Sequence, residues 1–252
     1  MMRKHSRVIV IEMMTALLAA GAVWLRPAAP MKQAIAALQA DAQVSVESEP
    51  WLTFRPRASR PTLGFIVYPG GLVDARAHAP AARATAAQGY LVVIVPMPFA
   101  LAFLDTNRAE QVMQANGTIR HWVIGGHSLG GLAAATFVKS HKNAVDGLVF
   151  WASYPADDMS STPVQVMSIS GTRDGLSTPE KIAASRAQLP TNTRWLAIEG
   201  GNHAQFGWYG PQTGDNDTAI SREEQQRQLV SGMVDWLQSI QASTAQYLVQ
   251  SS

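Results

Sequence analysis

Short apolar runs alternate with stretches whose apolar residues recur at helical spacing, and this alternation organises most of the chain. Val44–Val46 and Trp51–Arg55, separated by Glu47-Ser-Glu-Pro50, read as an antiparallel entry hairpin. A strand over Leu63–Tyr68 follows, then a helix over Arg76–Gln88 that ends at Gly89. Tyr90–Val95 is almost continuously apolar, as expected of a strand covered on both faces. A helix over Thr106–Asn116 stops at Gly117 and leads into a strand at His121–Ile124 and a helix over Leu132–Lys139. Strands at Gly147–Ala152 and Val164–Ser170, a helix over Pro179–Gln188 and a strand at Arg194–Glu199 come next. The closing helix, Ser221–Ile240, opens on Ser221-Arg-Glu-Glu224, in which the serine and the glutamate three residues later can satisfy each other's free amides. The pattern predicts an α/β fold: a mostly parallel eight-stranded sheet with helices on both faces.

No repeat or low-complexity tract interrupts residues 41–241, so they read as one domain, with 242–252 as a tail. Only Ser153–Pro163 lies between two of the later strands, too little for a helical lid, so a site at that edge is expected to be open. The longer loop Phe206–Ala219 carries Trp208 and Tyr209. With Met97, Phe99 and Phe103, the aromatics Phe206 and Trp208 are candidates to line an apolar substrate pocket, or equally to pack the top of the sheet.

The chemistry is concentrated where an apolar strand meets a helix. Gly125-Gly-His-Ser-Leu-Gly-Gly131 contains Gly-x-Ser-x-Gly (Gly126, Ser128, Gly130) in a strand–turn–helix setting. A serine on so sharp a turn needs strained backbone angles, and its neighbours must be nearly free of side chains. The Leu129 amide then sits at a helix N-terminus, where partial positive charge favours an oxyanion.

A serine hydroxyl needs a base, and the base an orienting carboxylate. Sites built on this turn place them in the order Ser, Asp or Glu, His. After Ser128 the only histidines are His141 and His203. His141 closes the helix far from the strand ends, whereas His203 lies in Gly200-Gly-Asn-His203, a glycine turn after a strand. Asp174 is the preferred carboxylate, in Gly171-Thr-Arg-Asp-Gly175 after the preceding strand, while Asp157 and Asp158 remain alternatives. Asp146 precedes its strand and so lies at the wrong end. His127 is expected to pack beneath the turn, and His78 and His121 default to the surface. A second oxyanion donor is expected from Pro69-Gly-Gly-Leu72, as the amide of Gly71 or Leu72.

Charge bears on partners only after the N-terminus is set apart. The formal +2 includes Arg3, Lys4, Arg7, Arg26 and Lys32 against Glu12; the rest has 15 basic and 17 acidic residues, a net −2, with no basic patch for nucleic acid. Val8–Leu25 is apolar or small apart from Glu12 and Thr15, with the basic residues in front. Residues 1–32 therefore read as a membrane anchor holding the domain outside the cytoplasm in the cell envelope. A cleaved signal and a secreted protein is the alternative.

Taken together, Pro69-Gly-Gly-Leu-Val-Asp74, Gly126-His-Ser-Leu-Gly-Gly131, Ser170-Gly-Thr-Arg-Asp-Gly175 and Gly200-Gly-Asn-His-Ala-Gln-Phe-Gly207 resemble the α/β-hydrolase superfamily. Within it the chain is similar to small lidless bacterial members near the dienelactone hydrolases, although those use cysteine where this chain has Ser128. The resemblance implies a Ser128–His203–Asp174 triad cleaving a small-molecule carboxylic ester, with no metal or organic cofactor. The same residues would serve an acyltransferase or thioesterase. A membrane-tethered scaffold with a silent site is the reading from another class.

Overall fold

The computed structural model describes residues 26–250, with side chains through Ser243. The N-terminal hydrophobic helix expected within residues 1–32 falls largely outside the described residues. Among the described residues, no helix is long and apolar enough to cross a membrane.

Eight strands form a single sheet in the order β1-β2-β4-β3-β5-β6-β7-β8. The first two, β1 (Val44–Glu47) and β2 (Leu52–Pro56), pair antiparallel, and β2 also runs antiparallel to β4 (Leu91–Ile94). The others, β3 (Leu63–Tyr68), β5 (His121–His127), β6 (Gly147–Trp151), β7 (Gln165–Gly171) and β8 (Arg194–Ile198), extend the sheet in parallel. Their carboxyl ends therefore share one edge, where ligands collect in open α/β sheets.

Side chains alternate across each strand, so β3 sends Phe65 and Val67 to one face and Ile66 and Tyr68 to the other. On the first face lie α2 (Ala79–Ala86), whose alanines allow close approach, and α6 (Arg222–Gln250). Leu229, Met233, Trp236, Leu237 and Ile240 form the stripe that α6 lays on the sheet. Each such side chain, fully buried, contributes roughly 1.5–3 kcal/mol. The second face is covered by α3 (Arg108–Ala115), through Ala109 and Val112, and by α4 (Leu129–Ser140), through Ala133, Ala134, Phe137 and Val138.

Three boundaries differ from expectation. The helix expected from Arg76 starts as a 3-10 turn, Ala75–His78, capped by the Asp74 carboxylate on the Arg76 amide. Pro179–Gln188 divides into α5 (Pro179–Ala184) and a 3-10 turn. The closing helix runs on to Gln250, where a tail was expected from residue 242. The folded unit also begins before residue 41: α1 (Lys32–Ala36) buries Ala34, and Ala28 bridges Val73. Residues 153–164 contain turns alone, so no helical element stands over the sheet between β6 and β7.

Candidate active site

Ser128 sits between the end of β5 and the start of α4, at φ 53° and ψ −121°. For a residue with a Cβ this costs roughly 1–3 kcal/mol and needs support on every side. Its amide donates to the Trp151 carbonyl at 2.9 Å, and its carbonyl accepts from the Ser153 hydroxyl at 2.7 Å. The flanking glycines are required by contact. A Cβ at Gly126 would stand 2.7 Å from the Gly130 carbonyl carbon, and one at Gly130 would penetrate the Tyr68 and Pro69 carbonyls.

Asp174 and His203 meet from the neighbouring loops after β7 and β8. His203 Nδ1 lies 2.9 Å from Asp174 Oδ2, and both side chains are wholly buried. The other carboxylate oxygen, Oδ1, accepts from the amides of Leu176 at 2.8 Å and Ser177 at 2.7 Å. Those donors aim the Asp174 carboxylate, whose other oxygen, facing Nδ1, favours the tautomer with the proton on Nδ1. Nε2 is left with its lone pair; it is buried and has no hydrogen-bond partner among the described residues. The His203 ring lies against that of His127, the residue preceding Ser128, with centroids 4.6 Å apart. The alternatives Asp157 and Asp158 are exposed, with Asp157 paired to Lys139 at 3.0 Å.

Of the expected oxyanion donors, Leu129 opens α4, and its amide has no acceptor within the helix. Gly71 lies directly beneath the Leu129 side chain, whose Cγ would be 3.3 Å from a Cβ added at Gly71. Leu72 does not fit the role. Its amide donates to the Ala100 carbonyl at 2.9 Å, with Leu72 itself held at φ 53°, so the donor is already engaged.

The apolar candidates separate. Phe206 is fully buried and stacks on His127 with centroids 6.0 Å apart, beneath the site and not lining it. Trp208 is buried under the Arg222 guanidinium, 5.9 Å from the ring. Met97 lines a cavity of about 510 Å³ behind the Gly70–Gly71 loop, together with Pro69, Val73, Asp74 and Ala100; Ser128 and His203 do not contribute to it. Phe99 is 76% exposed and does not line that cavity.

Histidines outside the Asp174 pair divide likewise. His141 caps α4 and pairs with Glu110 at 2.9 Å, and His121 pairs with Asp146 at 3.3 Å. His127 packs beneath the turn as expected; a Cβ at Gly70 would press on its Nδ1 at 2.6 Å. His78 is a correction: it is buried, not at the surface, 5.5 Å from His127 and 6.3 Å from Trp151 between ring centroids. It occupies the second residue layer because the 3-10 turn at Ala75–His78 rotates it inward. Burial drives His127 well below the usual histidine range, helped by His203 and His78, and brings His78 down to about 4. Both rings are therefore neutral at neutral pH. The His78, His127 and His203 rings follow one another at tilted angles, and among the described residues no group of His, Cys, Asp or Glu is spaced to hold a metal ion.

Asp215 is the residue that sequence reasoning missed. Its Oδ1 accepts from the amides of Gly175 at 3.0 Å and His203 at 3.2 Å, and its Oδ2 from Ala204 at 2.8 Å. One half-buried carboxylate thus ties the acid loop to the base loop. Gln225 ties the base loop to α6, accepting from the Asn202 amide at 3.0 Å and donating to the Asn202 carbonyl at 2.8 Å. Asp215 follows Gly214 in an irregular loop, a setting with no periodic signal; only the density of turn-forming residues there hinted at a structured role.

This combination of a parallel sheet, a strained serine at a strand–helix turn and a buried His–Asp pair at the same edge defines a class of hydrolase scaffold. Residues 64–227 match the model of the alpha/beta hydrolase family, and the chain belongs to that family. No match is found among curated proteins. Similar solved structures include a CIB-like hydrolase from Thermoplasma acidophilum (16% identity, TM-score 0.55), covering 78% of this chain and 98% of that one. An esterase domain from a Rhodothermus marinus protein matches with 11% identity and a TM-score of 0.56, over 74% of this chain and 90% of that one. Est1E from Butyrivibrio proteoclasticus matches with 13% identity and a TM-score of 0.55, over 80% and 100%. At these identities the likeness concerns the fold.

Proposed function

We propose that the protein is a serine hydrolase that cleaves carboxylic esters through an acyl-serine. The observation that carries the reading is the buried His203–Asp174 pair at 2.9 Å, on the strand-end edge that also holds Ser128 in its left-handed turn. The Ser128 hydroxyl attacks the ester carbonyl as His203 Nε2 takes its proton. The tetrahedral oxyanion accepts from the amides of Leu129 and Gly71. His203, now doubly protonated and stabilised by Asp174, gives the proton to the departing alkoxide, and an acyl-serine remains. Water repeats the sequence: His203 deprotonates it, it attacks the acyl carbonyl, and Ser128 leaves with the proton as the acid is released. The unpartnered Nε2 suits this role, because base–nucleophile contacts commonly tighten only when substrate is bound. Esterases among the structures of similar fold are in keeping with it.

Ser128→Ala is expected to reduce turnover of short p-nitrophenyl esters by about a millionfold and to end labelling by a fluorophosphonate. Turnover at the wild-type rate in that variant would refute the assignment. The same reading places the domain outside the cytoplasm, tethered through Val8–Leu25. The basic residues ahead of that stretch and its length support this.

A further inference from the structure

Five large apolar side chains are exposed among the described residues, and four of them lie on two neighbouring elements: Phe99 (76%), Phe103 (54%) and Leu104 (50%) on the segment that packs against α4, and Leu129 (40%) at the start of α4, next to Ser128 in the chain. Three belong to one uncharged run, Pro96-Met-Pro-Phe-Ala-Leu-Ala-Phe-Leu104. A surface loop has no folding reason to be apolar throughout, and such a patch marks a contact. The loop is also held in shape. Phe99 and Ala100 both take left-handed backbone angles (φ 52° and 56°), and the Ala100 carbonyl accepts from Leu72 next to Gly71. Leu129 reaches over Gly71 from the other side. The patch thus flanks Gly71 and Leu129, which carry the two proposed oxyanion donors.

The chain that precedes the fold arrives at the same place. Ala28 bridges Val73, its amide donating to Leu72 and its carbonyl accepting from Asp74. Only Arg26 and Pro27 separate it from the apolar run Val8–Leu25. Three residue steps span at most about 10 Å, so an anchor formed by that run would begin within that distance of Ala28, beside the Leu72–Asp74 segment. As a helix, eighteen residues would extend about 27 Å, close to the thickness of a bilayer's hydrocarbon core and far more than four side chains need for cover.

We infer that the Phe99–Leu104 loop and Leu129 seat the opening of the site on a lipid surface, and that the esters it receives are lipid-borne acyl esters. The inference rests on Ser128 as the reacting centre and on Val8–Leu25 as an anchor. Ester bonds at the headgroup boundary would then reach Ser128 without crossing water.

The chain has no cysteine, so Phe99→Cys, Phe103→Cys and Lys142→Cys each accept a single environment-sensitive fluorophore in the full-length protein. Lys142 follows the far end of α4 and serves as the reference. The variants are mixed with phosphatidylethanolamine–phosphatidylglycerol vesicles containing doxyl-labelled phosphatidylcholine. Labels at 99 and 103 are expected to shift to the blue and be quenched by doxyl groups at a depth of about 5–10 Å, while the label at 142 stays in water. Labels at 99 and 103 that remain open to aqueous iodide with vesicles present would overturn the inference. So would shielding that needs no vesicles, which would mean a second copy or residues 8–25 covering the loop. Fluorophosphonate labelling of Ser128 in the same samples separates the two readings: labelling with dry-lipid contact absent sinks only this inference, and lipid contact without labelling sinks the hydrolase reading.

Discussion

His78 offers a test that depends on burial alone. Its ring lies in the second layer beneath the serine, and neither nitrogen makes a hydrogen bond among the described residues. Desolvation is the main force on it, and the Phe206 backbone and the charge of Asp74 oppose that only in part, leaving the histidine at about 4 against 6.5 for a free one. Because the folded value is depressed, the unfolded chain takes up the proton first as pH falls. The native state therefore loses stability on acidification from about 6.5 to about 4 and is unaffected above that window. The loss attributable to His78 is about 2 kcal/mol near pH 5 and about 3 kcal/mol near pH 4. His127 adds to it in the same direction. His78→Phe keeps a ring in the space and removes the titration, so its denaturation free energies should fall less with acid, by about 3 kcal/mol between neutrality and pH 4. Level and slope have to be separated, because a phenyl ring relieves two unpaired nitrogens yet is larger than imidazole, and these effects oppose each other at neutral pH. Urea titrations of both proteins across the window measure the slope. Parallel curves would show that His78 is not buried as a neutral base, and the argument would fail.

Other substitutions probe the site itself. Asp174→Asn should preserve the fold but lower kcat about ten-thousand-fold, since an amide no longer fixes the proton on Nδ1; a loss under tenfold in ester hydrolysis would disqualify Asp174 as the orienting group. Asp215→Ala removes the acceptor of three loop amides, and should cost about 2–3 kcal/mol together with a fall in kcat larger than any change in KM. An unchanged melting temperature and an unchanged rate of fluorophosphonate labelling would show that the two loops do not need it. Gly130→Ala drives a methyl group into the Tyr68 and Pro69 carbonyls and should destabilise the protein by about 4 kcal/mol or more, seen as loss of soluble protein or of its unfolding transition.

Much of this was legible before any coordinates. Apolar periodicity located all eight strands, because residues such as Phe65 and Ile66 must both be buried when helices cover both faces of a sheet. Ser128 was legible because only a strained turn requires glycine on either side of a serine between strand and helix. Asp174 and His203 were legible through chain order and strand ends, which depend on the backbone path alone. Four features were not. Leu72 was expected, as the alternative to Gly71, to offer its amide, but the competing acceptor, Ala100, is 28 positions away, next to the left-handed Phe99. His78 and Phe206 have the composition of surface or pocket residues, and their burial follows from the turns that rotate them under His127. Asp215 shows no pattern, since its role is to join two loops that meet only when β7 and β8 pair. Sequence by itself thus determined the elements, their order and the placing of Ser128, Asp174 and His203 at strand ends, because those depend on local geometry and on which faces avoid water. Only the tertiary structure decided which amide is free, which ring is neutral and which carboxylate binds the loops together, because each of these depends on a partner distant in the chain.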